Sequence, residues 1–406
     1  MDPRPRWLFT DGPKRRNQVI EALQSGAQDW AKYLVGMSGV DEISNGLDLR
    51  GIDLSGVDLR NAQLDRVHLE WADLSGANLS NVSMRNACVR DADLHSADLT
   101  SADISGTDLQ GTNLESAKFS GAKARGVRFS QSNLKQVDLS NANVSGADFR
   151  GSCLVDVNLL RANADFASFA GVTASRLQAS GGSFKKTNWF KADLSGSVFT
   201  DAALTEADMS NTNCTGANFE RVELSRGKMK DANLTDADMR GLTAESTTFA
   251  GALMSGVKLQ GSVVSESNFN NVHAPTPADM RDIQAVHAFF MNSNLSSSAF
   301  AGANLSKAVF CEAVLVESDL TGCQIPEVNF QKVNLRRAKM AGCDIRSAIL
   351  TEAALCGTDL TSSDLRGTFA LPAVLNGAIL AGAKFSSAMK ETIGESQIVG
   401  EPVFED

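Results

Sequence analysis

Residues 47–66 read as four five-residue phrases: LDLRG (47–51), IDLSG (52–56), VDLRN (57–61) and AQLDR (62–66). Each phrase has an apolar residue, most often small or β-branched, then a polar one, then a large apolar one and two mostly polar ones. The phrase repeats to about residue 385. A period of five matches neither the helical period of 3.6 nor the strand period of 2. It predicts a coil with corners, in which two inward side chains form each side and the next two residues turn the chain.

A second period of twenty appears in the central apolar positions. One series is mostly leucine: Leu54, Leu74, Leu94, Leu114, Leu134, Leu154, Ala174, Leu194, Cys214, Leu234 and Met254. The series before it is mostly aromatic: Leu109, Phe129, Phe149, Phe169, Trp189, Met209, Met229, Phe249 and Phe269. Like side chains stack along one edge of a core when four phrases close one coil. The sequence therefore predicts a square coil of twenty residues, with successive coils paired at strand spacing.

The register shifts once, by a single residue near 275–277, the sequence Pro275-Thr276-Pro277. The aromatic and leucine series resume at Phe290 and Leu295. We interpret the extra residue as a bulge at a corner, where a proline has no ladder hydrogen bond to give. The phrases over 41–385 predict about 17 coils and a rod on the order of 80 Å long, at about 4.8 Å per coil.

This pattern resembles the pentapeptide-repeat family, whose phrase is A(D/N)LXX. The match is specific in ADL at 92–94, 97–99 and 192–194, ADF at 147–149, and ADM at 207–209 and 237–239. The resemblance covers about five-sixths of the chain. It implies an all-β fold, the right-handed quadrilateral β-helix.

The two ends of the chain lack the phrase. In residues 1–40, apolar residues at helical spacing predict a helix from Lys14 to Val35, which we interpret as a cap over the open edge of the first coil. The alternative is a docking role for Trp7 and the basic cluster at 14–16. Residues 386–406 are interpreted as a C-terminal cap followed by an acidic, mobile end at 405–406.

No signal-peptide pattern and no apolar run of transmembrane length occurs in the sequence. We therefore expect a cytoplasmic protein, or one delivered as an effector without a classical signal peptide.

No group of residues forms a catalytic motif. The four histidines are scattered: His68 points outward, 27 residues before His95, and His273 and His287 flank the proline bulge. The seven cysteines have no metal-ligand spacing, and Cys323 and Cys343, one coil apart, are expected to be stacked free thiols. Repetition explains the abundant aspartate. The sequence predicts a non-enzyme with no catalytic, cofactor-binding or metal-binding residues and no cofactor.

Charge suggests one possible function. Gyrase-protecting members of the family are acidic rods that imitate duplex DNA. Here the chain has 38 basic and 48 acidic residues, and residues 49–385 have 31 and 36. Since DNA carries one charge per about 1.7 Å of axis, the net charge of this repeat per length of axis is far lower than that of DNA. A DNA-mimic protector or inhibitor of a DNA-binding enzyme such as gyrase is therefore the second hypothesis, and no direct nucleic-acid binding is expected.

Outward apolar residues suggest another function. On the aromatic-stacking side, the slot that is usually Asp or Asn reads Phe289, Val309, Asn329, Ile349 and Phe369 after the slip, with Met291 and Leu371 adjacent. Apolar residues that recur every twenty positions would form a contiguous patch, which usually marks an interface. The alternative is local slippage that turns Phe289 or Phe369 inward. We predict a non-catalytic protein-interaction scaffold, such as a bacterial effector or an assembly factor, with Phe289, Met291, Val309 and Ile349 contacting a protein partner or a second copy in a homodimer.

Overall fold

The computed structural model describes residues 12–24, 42–43, 46–368, 372–394 and 397–405. The chain divides into two compact units, Met1–Ala203 and Leu204–Asp406. The same repeating backbone builds both units, and each is described by itself.

Each phrase ends in a tight turn. In the second phrase, the Val57 N–H donates to the Leu54 carbonyl at 3.2 Å, and Gly56 between them has φ +64°. This geometry is that of a β-turn with a left-handed third residue. The same corner position has a positive φ in nearly every phrase. Glycine is frequent there because it adopts that φ without steric cost, and Asn, Asp and Ser take many of the other corners.

The polar slot of the phrase has a structural role. Asp53 Oδ1 accepts a hydrogen bond from the Ser55 N–H at 3.0 Å, and Asp98 Oδ1 accepts one from the Thr100 N–H at 2.9 Å. The side chain thus binds the backbone two residues on, as Asx turns do. This local bond explains why Asp and Asn dominate the slot.

Successive coils are joined by parallel backbone pairing at an offset of twenty. The Leu54 N–H donates to the Asp73 carbonyl at 2.6 Å, and the Asp73 N–H donates to the Ile52 carbonyl at 2.9 Å. Each side is so short that most of this pairing consists of single bridges rather than continuous strands. Four phrases therefore close each coil, as the sequence predicted.

The central residues stack along the axis of each unit. In the first unit, the centroid of the Phe149 ring lies 4.9 Å from that of Phe129 and 4.6 Å from that of Phe169, and the ring planes are within 15° of parallel. In the second unit, Phe290 and Phe310 stack at 4.5 Å. All five rings are fully buried or nearly so, which confirms the aromatic series.

The one-residue shift is visible in the ladder. Lys258 pairs with Asp279 at an offset of 21, whereas Asp279 pairs with Ala299 at an offset of twenty. The extra residue is absorbed beside the two prolines, where the Thr276 N–H donates to Ser255 Oγ at 3.3 Å. The aromatic stack continues through this point, since Phe269 and Phe290 lie 4.9 Å apart.

Regular elements occur near the chain ends. Helix α1 is Gly12–Gln24, and strands β1 (Glu42–Ile43) and β2 (Gly46–Leu47) pair antiparallel. In the second unit lie a 3-10 helix at Pro372–Leu375, strand β3 (Lys384–Phe385), a 3-10 helix at Ser387–Met389, helix α2 (Lys390–Gly394) and strand β4 (Val403–Phe404). Strand β3 pairs parallel with β4. None of the helices in the described ranges is long and apolar enough to cross a membrane.

Helix α1 packs on the first coils. Val19 and Leu23 are buried, Arg16 Nε donates to the Asp53 carbonyl, and Gln24 Nε2 donates to the Asp58 carbonyl at 3.0 Å. The described helix is Gly12–Gln24, and the rest of the predicted helix, up to Val35, lies outside the described ranges, as does Trp7. The capping role of this segment stays a prediction.

The C-terminal end returns to the last coil. The Glu405 N–H donates to the Phe385 carbonyl at 2.9 Å, and its carboxylate accepts from Lys384 Nζ at 3.2 Å. These two contacts join Glu405 to the last coil, and the C-terminal cap with its acidic, mobile end stays a prediction. Asp406 lies outside the described residues.

Candidate protein interface

The outward slot of the aromatic-stacking side forms one continuous column in the second unit. Phe289 pairs with Val309, Val309 with Asn329, and Asn329 with Ile349. Parallel pairing places these side chains one above another, at about 4.8 Å per coil. We call Phe289, Met291, Val309 and Ile349 the apolar stripe.

The stripe points outward. Phe289 is 40% exposed while its neighbour Phe290 is fully buried, and Ile349 is 43% exposed. Val309 and Met291 are half-buried. Local slippage, the alternative that would turn Phe289 inward, is therefore wrong. Phe369 and Leu371 lie outside the described residues.

The apolar residues of the stripe cannot make the hydrogen bond that Asp or Asn makes in this slot elsewhere in the chain. Phenylalanine, valine and isoleucine side chains have no acceptor for the backbone N–H two residues on. At the first position a substitute exists, because the Met291 N–H donates to Asn270 Oδ1 of the preceding coil at 2.8 Å. A protein hydrogen bond contributes about 0.5–1.5 kcal/mol net. The local turn geometry therefore does not require the apolar residues.

Outside the stripe, outward apolar residues stand singly or in a shorter run, such as the pair Ile379 and Val399. Leu253 and Val263 occupy the same slot on other sides and are half-buried, but their bridge partners are polar: Asn233 and His273 for Leu253, Thr243 and Gln284 for Val263. In the first unit, Phe166 is 66% exposed, and Lys186 Nζ lies 5.9 Å from its ring centroid. Single exposed apolar residues are ordinary. The stripe differs because three of its four successive slots are apolar.

Ion pairs cover much of the charged surface. Where a phrase has aspartate before its central residue and arginine after it, the two side chains pair, as in Arg150–Asp148 at 2.7 Å and Arg346–Asp344 at 2.8 Å. The guanidinium groups of Arg150 and Arg346 hold the pKa of Asp148 and Asp344 below the ordinary aspartate value, against the opposing effect of burial. Arg–Asp pairs also link successive coils, as in Arg85–Asp65 at 2.6 Å. Many of the acidic slots are thus locally compensated.

Three residues that the sequence analysis did not connect meet in the first unit. His68 and Glu70 flank Leu69, and Cys88 pairs with His68 from the next coil. Their ligand atoms all lie within 4.8 Å of one another, and His68 Nδ1 is 3.3 Å from Glu70 Oε1. Burial, with a smaller contribution from the Glu70 carboxylate, raises the pKa of the Cys88 thiol to about 11. The separation of twenty between residues 68 and 88 was the signal that could have found this cluster.

The predicted pair of stacked thiols lies in the core. Cys323 and Cys343 are free and buried. The Cys323 thiol donates to the Phe300 carbonyl at 3.0 Å, and the Cys343 thiol to the Leu320 carbonyl at 2.9 Å. Hydrogen bonding to Cys343 and burial raise the pKa of Cys323. Both thiols fill the small inward slot, as predicted.

Twenty-residue coils paired in parallel, with stacked leucines and phenylalanines inside, define a four-sided β-solenoid. The sequence pattern of pentapeptide repeats matches residues 45–151, 183–271, 288–323 and 329–367, about two-thirds of the chain. The chain belongs to the pentapeptide-repeat family. Members of this family form right-handed quadrilateral β-helices and are in general non-enzymatic structural or interaction proteins.

Several solved structures are similar to the chain. HetL, a pentapeptide repeat protein involved in heterocyst differentiation regulation from the cyanobacterium Nostoc sp. strain PCC 7120, is 22% identical over 56% of this chain and 88% of its own, with a TM-score of 0.31. QnrB1, a plasmid-mediated fluoroquinolone resistance protein, is 21% identical over 54% of this chain and 97% of its own, with a TM-score of 0.30. A pentapeptide repeat protein from the Arabidopsis thaliana thylakoid lumen is 27% identical over 29% of this chain and 68% of its own, with a TM-score of 0.21. Because all three TM-scores are below 0.5, these likenesses carry no argument. No curated protein matches the sequence.

Proposed function

We propose that this protein is a non-catalytic scaffold that binds another protein through a surface centred on the apolar stripe. The observation that carries the proposal is the run of outward apolar residues in successive coils, Phe289, Val309 and Ile349, in a slot where Asp or Asn makes a structural hydrogen bond elsewhere. Contiguous exposed apolar surface is characteristic of interaction sites. Repeat proteins present such surfaces along their coils.

The size of the stripe limits its role. Phe289 and Ile349 are three coils apart, about 14 Å at strand spacing. A stable interface buries about 800 Å² on each partner, so the stripe is the apolar centre of a larger contact. Polar residues beside the column, such as Asn270 and Gln331, suit the wetter rim that surrounds such a centre.

The test replaces two outward residues by opposite charges, Val309→Asp with Ile349→Lys. Half-buried and exposed positions should tolerate charge, so we expect the variant to keep the circular dichroism and urea midpoint of the wild type. We expect it to lose the partner that the wild-type protein retains in a pull-down from the native organism. The matched control is Leu253→Asp with Val263→Lys, which changes the same slot on other sides and should retain the partner.

Light scattering distinguishes a second copy from another protein. If the partner is a second copy, the wild type and the control have the mass of a dimer and the stripe variant that of a monomer, as expected for a two-fold contact of one patch with itself. Partner binding and mass that are the same in all three proteins would contradict the proposal.

A further inference from the structure

The His68, Glu70 and Cys88 cluster lies in the first unit, away in sequence from the apolar stripe. His68 and Glu70 lie on either side of the buried Leu69, on one side of one coil, and Cys88 occupies the outward slot of the coil that pairs with it. The ladder fixes these positions, because the backbone of Cys88 donates to the Val67 carbonyl at 2.9 Å and the Leu69 N–H donates to the Cys88 carbonyl at 2.7 Å. The cluster therefore sits on rigid, paired backbone.

The distances suit a small cation. Zinc binds histidine nitrogen, carboxylate oxygen and thiolate sulfur at about 2.0–2.3 Å, and tetrahedral angles then separate neighbouring ligand atoms by about 3.3–3.6 Å. His68 Nδ1 and Glu70 Oε1 already lie 3.3 Å apart, which is longer than the about 2.7–2.9 Å of a charge-assisted hydrogen bond. The three ligand atoms lie within 4.8 Å of one another. Small rotations of the side chains would therefore bring them to the separations that a tetrahedral ion requires.

A buried oxygen supplies independent support. Glu70 Oε2 is buried and has no hydrogen-bond partner. Leaving such an atom unpaired costs about 1–3 kcal/mol, more when the group is charged. Arg50 lies beside the cluster, but its Nε and Nη2 donate to the buried Asp48 carboxylate at 2.9 and 2.8 Å. A cation between Glu70, His68 and Cys88 would satisfy the unpaired oxygen.

We propose that His68, Glu70 and Cys88 bind one Zn²⁺ ion, with a fourth position open to water. A set of nitrogen, oxygen and sulfur ligands favours zinc over magnesium or calcium, which take oxygen ligands. The ion displaces the thiol proton of Cys88 to solvent and joins two successive coils near the N-terminal end of the repeat. Because it binds the folded chain, it stabilises the first unit.

The experiment uses the full-length chain, stripped with a chelator and titrated with Zn²⁺ in a calorimeter. We expect one ion per chain. Titration with Co²⁺ should give the charge-transfer absorption of a cobalt–thiolate bond. Cys88→Ser should abolish that absorption. Cys88→Ser and His68→Gln should each weaken Zn²⁺ binding at least about tenfold, since replacing a residue that only hydrogen-bonds to a metal ligand already costs about 10–100-fold in affinity.

Two controls separate this site from other metal-binding groups. Cys153→Ser changes a cysteine in the same outward slot, where its bridge partners are Asn133 and Thr173, and His95→Gln changes a histidine paired with Asp93. Both should bind Zn²⁺ as the wild type does. Glu70→Gln, which is close to isosteric, should keep the circular dichroism of the wild type and still weaken Zn²⁺ binding, so that lost binding is not a result of misfolding. No stoichiometric binding by the wild type, or binding that survives Cys88→Ser unchanged, would overturn the proposal.

Discussion

At the scale of single residues, each position of the phrase has its own physical reason. The outward Asp or Asn binds the backbone of its own turn, as Asp98 does with Thr100. The central residue fills the axis, and the corner residue takes a positive φ. The many carboxylates are therefore accounted for by turn formation, and their abundance alone carries no catalytic meaning.

The first prediction concerns the core. Phe149→Ala and Leu134→Ala should each lower the free energy of unfolding by roughly 2–5 kcal/mol, because both side chains are fully buried and their removal leaves a cavity in a stacked column. Urea melts followed by circular dichroism measure the change. Phe166→Ala, at a 66% exposed position, is the control and should change stability by no more than about 0.5 kcal/mol. Equal losses at Phe149 and Phe166 would contradict the assignment of the axis.

The second prediction concerns acid. The partners Arg150, Arg346 and Arg366 hold the pKa of Asp148, Asp344 and Asp364 below the ordinary value. A carboxylate with a lowered folded-state pKa stabilises the fold above its unfolded pKa, about 3.9, and this contribution is lost as the pH falls through the folded-state pKa. Stability should therefore fall as the pH drops below about 4.

The variant with all three aspartates changed to asparagine tests this assignment. Its unfolding midpoint should depend less on pH below about 4 than that of the wild type. The matching variant with the three arginines changed to glutamine should also have a flatter profile, since the guanidinium groups cause the shifts. The difference should shrink at high salt, because these pairs are partly exposed to solvent. An unchanged acid profile in both variants would exclude these pairs as its source.

At the scale of elements, the coil was predictable because its two periods are local. The five-residue phrase and the twenty-residue stack are both visible in the letters, and even the added residue at 275–277 could be placed. The His68, Glu70 and Cys88 cluster was missed because the search used helical and loop spacings, whereas a solenoid brings together residues twenty apart. The outward direction of Phe289 could not be decided from sequence, since Phe289 and Phe290 are both aromatic and a shift of one residue exchanges inside and outside.

The ends were harder to predict because they lack the repeat. The pattern indicated a helix from Lys14, and the structure has one at Gly12–Gln24. The partners of that helix, the Asp53 and Asp58 carbonyls, could not be predicted, since contacts between non-repeating and repeating segments leave no periodic signal. For the same reason, the pairing of β4 with β3 could not be predicted from the sequence.

The third prediction concerns helix α1 as a cap. Val19 is fully buried, so Val19→Asp should place an unpaired charge between the helix and the coils and release the helix. Hydrogen exchange should then speed up at the amides of residues 49–64 and remain unchanged in the second unit, because each coil contacts only its neighbours. Asn17→Asp, at an exposed position of the same helix, is the control. Exchange in residues 49–64 that is unaffected by Val19→Asp would mean that the helix does not protect the first coils.

At the scale of the whole chain, net charge and the pairing of charges bear on function. The chain has a net charge of −10, but many of its carboxylates face an arginine or lysine, within a phrase as at Asp238–Arg240 or between coils as at Asp156–Arg176, both at 2.7 Å. A DNA mimic must present unpaired negative charge at close to the density of the duplex. Pairing lowers the field of a chain that is already weakly charged.

The last prediction therefore concerns DNA mimicry. Purified protein should not protect DNA gyrase from a quinolone in a supercoiling assay, because its carboxylates are too few and too well paired to compete with DNA for a basic groove. A variant that removes three of the paired cations, Arg150→Gln, Arg240→Gln and Arg346→Gln, exposes the acidic surface and serves as the internal comparison. Protection by the wild type at micromolar concentration, lost as salt is raised, would favour the DNA-mimic function over the protein scaffold. Protection by the triple variant alone would show instead that the arginines keep this fold from acting as a mimic.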